Sequence, residues 1–505
     1  MNLGRREFGR TLGFGAGALA LLATVVSIYP GDWPQYRGAN HDGVSTDRIL
    51  KAWPPEGPPV LWRVPLDGYS SFAVGQGRAY TLTRRQSREM CLALDAVTGA
   101  ELWTTPVGVY GSRALVRRPN STPTLNDQRV FVLSTDLKLS CLDASTGLPV
   151  WRRDLALEFG TEEMFYGSAA SPTVEGDLVF VNSNALEAQR LLAFRKTDGE
   201  LVWKASADRP DYTTPIPATI LGVRQILFYT RSALVAVAPD SGAILWQYRM
   251  SGSRPCASPL AVGDVVFVAE NLGRALRITK TGDQFKATEI WGLVGTRVGA
   301  TLAIDFSTPV SHGGYLYGLF RFDFPSQLKC VDLATGKVKW SGERFGEGGI
   351  VLVENQLLIL SETGELVLVE ASPQAYTELA RVKALSGDCY NHPAVCDGRI
   401  YARSTTEGVC VDVADKAPMP VRLHPPRCQP EGGFQLQVSD AGGSALPSER
   451  IGRLELLATT NVALPLTSWI KLTNATVLTN GLLNLDASER TRLPQQFFMG
   501  VERPE

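Results

Sequence analysis

One phrase constrains this chain more than any other. From Leu92 to Trp103 it reads Leu-Ala-Leu-Asp-Ala-Val-Thr-Gly-Ala-Glu-Leu-Trp. Apolar residues before Asp95 suit a half-buried strand. Asp95 can accept from its own turn, Gly99 supplies a positive φ, and Trp103 stands on the returning strand. The phrase recurs at Asp143–Trp151 and Asp332–Trp340. Thr197-Asp198-Gly199 leads to Trp203, Asp240-Ser241-Gly242 to Trp246, and Thr281-Gly282, after an insertion, to Trp291.

A second marker keeps the same beat. Six strands open on a small polar residue or His followed by Pro: 122–123, 171–172, 214–215, 258–259, 308–309 and 392–393. Phe72 and Ile350 stand at the equivalent places without Pro, and the eight openings lie 41 to 51 residues apart. Proline cannot donate to a ladder, so it belongs at a strand start or on an edge. Further strands such as Arg129–Ser134, Leu178–Asn182 and Val265–Ala269 fall between the markers. Each unit reads as four short strands, and a period of roughly 40–50 residues predicts an all-β, eight-bladed β-propeller. Val60–Pro65, with Trp62 placed 41 residues before Trp103, has no inner strands of its own, while the last unit lacks a closing Trp. This N-terminal strand is therefore expected to close blade eight and remove the open edge.

The repeats, as in Cys141-Leu142-Asp143-Ala144-Ser145-Thr146-Gly147-Leu148-Pro149-Val150-Trp151, resemble the pyrroloquinoline-quinone (PQQ)-like propeller repeat over about residues 33–424. That family contains eight-bladed quinoprotein dehydrogenases and a non-enzymatic propeller lipoprotein of outer-membrane protein assembly. The resemblance implies the fold and leaves the activity open, because the repeat is a structural unit. The signatures of WD40 and kelch repeats do not recur.

Residues 1–28 read as an export signal: Arg5-Arg6-Glu7-Phe8, Arg10 and the apolar run Leu12–Ile28 form a twin-arginine pattern. Cleavage is expected, after Ser27, Ala23 or Ala20, leaving no stable membrane span; retention as an anchor is the alternative. The expected location is the periplasm or cell envelope. Charge is balanced, 50 basic against 51 acidic residues, and no nucleic-acid partner is expected.

Residues 29–59 read as a cap and linker. In Asp32-Trp33-Pro34-Gln35-Tyr36-Arg37-Gly38, Trp33 and Tyr36 are expected to cover the propeller and Arg37 to bond backbone carbonyls. The propeller is assigned to residues 60–427. Residues 430–505 read as a small β-sandwich-like module for attachment or interaction, with strands at Phe434–Val438, Arg453–Ala458, Ser468–Leu472 and Leu482–Leu485.

Cys141, Cys330 and Cys410 share one blade position and read as small core residues, with Cys91 on the same strand face. Cys389 and Cys396 are the pair best placed for a disulfide in an exported protein. The four histidines lack ligand spacing; His392 stands at a strand opening near the axis. Arg113, Arg117 and Arg118 on one inter-blade connector, and Glu162, Glu163 and Tyr166 on the next, form with His392 the candidate binding face, since loops on a rigid scaffold carry binding.

The expected function is a non-catalytic exported scaffold that binds a protein or cell-envelope partner, with no catalytic residues, cofactor or metal. The alternative is a PQQ-dependent dehydrogenase with Ca²⁺. The resemblance asks that enzyme for adjacent cysteines, and the chain has none.

Overall fold

The structure is a computed structural model. It describes residues 31–109, 118–160, 166–183, 185, 189–210, 212–250, 256–269, 272–292, 302–321 and 325–415. Beyond these it describes the strands of a C-terminal unit between residues 421 and 502. Two compact units divide the chain, residues 1–414 and 415–505. No helix among the described residues is long and apolar enough to cross a membrane.

The first unit is an eight-bladed β-propeller. Blade one is the antiparallel meander Ala73–Gly75, Arg78–Arg85, Arg88–Asp95 and Glu101–Val109. Inner strands of the next seven blades begin at Thr124, Thr173, Ile216, Leu260, Val310, Gly349 and Ala394, each within one residue of an opening read from the sequence. In every blade the first turn spans two residues. Gln76 and Gly77 show why: both have positive φ (54° and 73°), the twist that a two-residue hairpin needs.

Val60–Pro65 pairs antiparallel with Glu407–Asp412, setting Trp62 opposite Cys410, so the chain's first long strand is the outer strand of blade eight. Arg403 locks the same seam. It is fully buried and donates to Leu82 O (2.7 Å) and Thr81 Oγ1 (2.7 Å) of blade one and to Gly68 O (3.1 Å) of the connector before it.

The repeated Trp joins neighbouring blades. Indole Nε1 of Trp62, Trp103, Trp151, Trp203, Trp291 and Trp340 donates to a turn carbonyl of the next blade: Ala96, Ala144, Lys196, Pro239, Leu333 and Ser372, at 2.7–3.0 Å. The turn glycine lies under the ring. A Cβ on Gly147 would stand 2.5 Å from Trp103, and one on Gly242 equally close to Trp203. Trp246 departs from this pattern. The blade-five hairpin extends through Arg274–Thr281 and Gln284–Trp291, which carries Gly282 away, and nothing stands near a Cβ there. Trp246 Nε1 turns instead to Gln225 Oε1 of its own blade, at 2.7 Å. Blade seven has Ala380 where the others have Trp, opposite Leu368.

Two further features are absent from the repeat reading. Val44–Ser45 adds a parallel strand inside blade seven, opposite Leu352 and Val353. Cys389 and Cys396 are both free and buried, so the bridge considered for them does not form. Each fills a packed apolar position beside blade eight, together with Cys410.

In the second unit, Val421–Leu423 pairs with Phe434–Asp440, which also pairs with Leu482–Leu485 and, beyond it, Ala475–Leu478. A separate three-stranded sheet orders Ile470–Lys471, Leu454–Thr459 and Phe497–Glu502. Val421–Leu423 thus belongs to this unit's sheet, although the repeat reading carried the propeller to residue 427.

Candidate binding face

In an antiparallel four-stranded blade, the first and third turns emerge at one end. The second turn and the connector to the next blade emerge at the other. The two ends of this propeller are therefore built from different parts of the repeat.

The turn end is covered by the cap. Trp33 exchanges backbone hydrogen bonds with Val74 of blade one (2.7 and 2.8 Å), and Leu125 N of blade two donates to Pro34 O at 2.7 Å. Leu50 N reaches Val413 O of blade eight at 2.8 Å, and Gly398 N donates to Asp47 Oδ2 at 2.9 Å.

Around the axis the strand openings hydrogen-bond in a ring. Ser71 N donates to Thr122 Oγ1, Thr122 N to Ser171 Oγ, Ser171 N to Thr214 Oγ1, Thr214 N to Ser258 Oγ and Ser258 N to Thr308 Oγ1, all within 2.9–3.3 Å. The next position is Gly349, which has no hydroxyl; a Cβ there would collide with Asn391 O. Arg37 fills this break. It is 1% exposed and donates to Thr308 O (2.7 Å), Pro309 O (2.6 Å), Asp42 O (2.7 Å) and His41 O (3.4 Å). Tyr36 reaches the same level, with its OH 3.4 Å from Thr308 Oγ1 and its ring edge-on to His392 at 5.8 Å.

His392 completes the ring rather than exposing a base. Its Nδ1 lies 3.2 Å from Ile350 N and 3.0 Å from Ile350 O, and Ser71 Oγ donates to its carbonyl at 2.5 Å. Burial, with Arg37 close by, pushes the imidazole down to about 3, so it is neutral at physiological pH.

Of the other candidates, Arg118 and Tyr166 lie at the connector end. Arg113, Arg117, Glu162 and Glu163 lie outside the described residues. Arg118 pairs with Asp67 at 3.3 Å and lies over the Tyr69 ring at 5.7 Å. Tyr166 is exposed; its carbonyl accepts from Asn120 Nδ2 at 2.8 Å and its ring meets Tyr212 edge-on at 5.6 Å. Arg118 and Tyr166 therefore share the sector of blades one to three, while His392 is buried at the axis.

Sequence reading did not find a second group on this end. Tyr69, Tyr390 and Phe306 come from three different connectors, with ring centroids 5.6 Å (Tyr69–Tyr390) and 6.0 Å (Phe306–Tyr390) apart. Tyr390 OH donates to Glu362 Oε1 at 3.3 Å. Glu347 lies beside them, accepting from Ser326 Oγ at 2.6 Å, and burial raises its carboxyl above the usual range, helped by Asp305 and Glu362. These residues follow no repeat period, so only a surplus of aromatics in connectors could have signalled them.

Comparison with known proteins agrees with the fold. A family profile described as outer membrane protein assembly factor BamB matches residues 49–216 and 88–342. An outer membrane protein assembly factor BamB from Moranella endobia (strain PCIT) is 28% identical over 269 residues, 49% of this chain and 63% of that protein. The protein of that name from Shewanella oneidensis is 23% identical over 353 residues, 60% of this chain and 85% of that protein. The chain thus spans less than two thirds of the first relative. Among solved structures, quinohemoprotein alcohol dehydrogenase from Comamonas testosteroni superposes with a TM-score of 0.58 at 15% identity, covering 79% of this chain and 84% of that one. BamB from Moraxella catarrhalis gives 0.51 at 16% identity, covering 70% and 99%. These likenesses carry the fold alone. The second profile match spans more than half of the chain, and the protein belongs to the family described as outer membrane protein assembly factor BamB.

Proposed function

We propose that this protein is an exported, non-catalytic propeller that serves as a protein-binding scaffold in the cell envelope. One observation carries the reading. The cap lies on the turn end and sends Arg37 and Tyr36 into the axis, which leaves the connector end as the face for a partner. Relatives named for outer membrane protein assembly support the same reading. Export by the twin-arginine route rests on Arg5-Arg6 and the apolar run after them, which lie outside the described residues.

The proposal includes no quinone cofactor. PQQ is a flat anion that the enzymes hold beside a divalent cation. At this axis the guanidinium of Arg37 already donates to four carbonyls, and His392 is neutral and occupied by Ile350. Among the described residues, no three His, Cys, Asp or Glu side chains are grouped to hold a metal. These residues do not suit PQQ and Ca²⁺, although quinoprotein dehydrogenases share the fold. The C-terminal unit is assigned a role in attachment or interaction.

Site-specific photo-crosslinking in exporting cells tests the scaffold reading. A crosslinker at Tyr166, on the connector end, is expected to capture an envelope protein; one at Thr98, in a turn at the capped end, is not. Dye reduction that depends on added PQQ and Ca²⁺ would instead support the dehydrogenase reading.

A further inference from the structure

We propose that the connector face receives an arginine side chain of its protein partner in a cradle formed by Phe306, Tyr390, Tyr69 and the Glu362 carboxylate. The inference rests on the scaffold reading above and names the chemistry that this face recognises.

The three rings meet one another at the surface. None of the three belongs to the apolar cores between blades. Phe306 is 38% exposed. Three aromatic rings gathered at a wet surface offer π faces to a ligand. Behind them the charge is one-sided. Glu347, Glu362 and Asp305 stand against Arg321, which pairs with Asp305 at 3.2 Å. Glu362 is held in place: its Oε2 accepts from Glu347 N at 3.1 Å and its Oε1 from Tyr390 OH.

Asn391, next to Tyr390 in sequence, ties this connector to that of Tyr69. Asn391 is 9% exposed, and its Nδ2 donates to Tyr69 O and Ser70 O at 3.2 Å each. Its Oδ1 is buried with no partner. The group therefore offers aromatic faces and a fixed carboxylate, with more carboxylates than cations behind them. A guanidinium supplies what is missing: a flat cation with five N–H groups that stacks on rings while it pairs with carboxylate. Among the described residues the chain makes this contact three times in its own fold, once with Arg153 over Phe194 at 5.3 Å while paired with Glu158. Arg118 lies over Tyr69 while paired with Asp67, and Arg381 lies over Phe345 at 5.6 Å while paired with Glu378 at 2.6 Å.

The test is titration of the full-length protein with three Gly/Ser peptides carrying Arg, Lys or Glu at the centre, followed by saturation-transfer NMR. The Arg peptide is expected to saturate, the Lys peptide to bind more weakly and the Glu peptide not to saturate. Phe306→Ala and Glu362→Gln should each weaken the Arg peptide by about fivefold or more. Phe306→Leu, which keeps bulk and removes the π face, separates recognition from folding and should weaken it equally at an unchanged unfolding midpoint. Equal binding of the Arg and Glu peptides, absence of saturation, or unchanged affinity in the Phe306 and Glu362 variants overturns the proposal. The Tyr166 crosslink separates the two readings. A crosslink that persists beside a failed titration rejects the cradle alone, whereas a missing crosslink counts against the scaffold.

Discussion

The indole of Trp62 lies flat on Gly99: a Cβ at Gly99 would stand 2.6 Å from Trp62 Cγ, and Trp62 Nε1 donates to Ala96 O at 3.0 Å. This contact closes the ring, because Trp62 belongs to the N-terminal strand and Gly99 to blade one. Trp62 is 6% exposed, so Trp62→Ala is expected to cost about 3–5 kcal/mol. Gly99→Ala should also destabilise, since φ there is +71° and the methyl meets the ring. Trp340 makes the same bond to Ser372 O but is only partly buried, so Trp340→Ala should cost less. Urea unfolding midpoints of the three variants check this order; equal costs at 62 and 340 would contradict it.

Arg37 bonds the cap to the break in the axial ring. Its removal leaves Thr308 O, Pro309 O and Asp42 O without their donor. Arg37→Ala is expected to cost about 1–3 kcal/mol for each carbonyl left buried without a donor, partly offset because a buried charge is removed. Arg37→Lys should not restore stability, because a single ammonium cannot reach across carbonyls that a planar fork spans. Limited proteolysis should then cut within residues 31–50 of the variants before it cuts wild type. Equal resistance would show that Trp33 and the Val44–Ser45 strand hold the cap without Arg37.

Much of this fold was legible because it repeats. The opening positions and the Asp-to-Trp phrase placed eight blades, and the unpaired Trp62 pointed to the closure. What was not legible breaks the period or joins distant positions. Trp246 obeys the phrase in sequence, yet a longer hairpin in blade five removes its glycine. Tyr69, Phe306 and Tyr390 come together from three connectors, with no spacing to mark them. His392 was recognised as axial, but its neutrality comes first from burial and then from Arg37, which arrives from the cap.

The seam of blades four and five shows what replaces the missing stack. Tyr248 OH donates to Glu289 Oε2 at 2.8 Å, and Arg274 Nη1 stands 3.4 Å from the same oxygen, with both charged side chains buried. Glu289→Ala would leave Arg274 buried without this partner and is expected to cost about 3–5 kcal/mol. Tyr248→Phe removes one hydrogen bond to a charged group, worth about 1.5–3 kcal/mol. Chemical denaturation of the two single variants and the double variant should show non-additive costs, since both act on one carboxylate. Strict additivity would mean that Tyr248 does not join the blades through Glu289.

Stability should fall on both sides of a mid-range pH, for reasons that separate by residue. His41 and His392 are held down to about 3 by burial, with Arg224 and Arg37 acting on His41 and Arg37 on His392. Below the ordinary histidine value of 6.5 the unfolded chain takes up these protons and the folded chain does not. Their contribution is therefore present above pH 6.5 and lost as pH falls toward 3, by at most about 1.4 kcal/mol per pH unit for each histidine. Glu89 acts in the opposite direction. It is 1% exposed, accepts from Thr135 N at 2.9 Å, and is raised to about 7 by burial, against that hydrogen bond and with Asp136 adding to the rise. Its contribution is present below pH 4.5 and lost as pH rises through 7, by at most about 3 kcal/mol in all. Glu89→Gln should therefore raise the unfolding midpoint at pH 8 and change it little at pH 4. His392→Asn, which keeps an acceptor for Ile350 N, should soften the decline between pH 6.5 and 3 and leave pH 8 unchanged. Midpoints measured from pH 4 to 8 for both variants check the assignment. A Glu89→Gln variant that gains stability only at acid pH would reverse it.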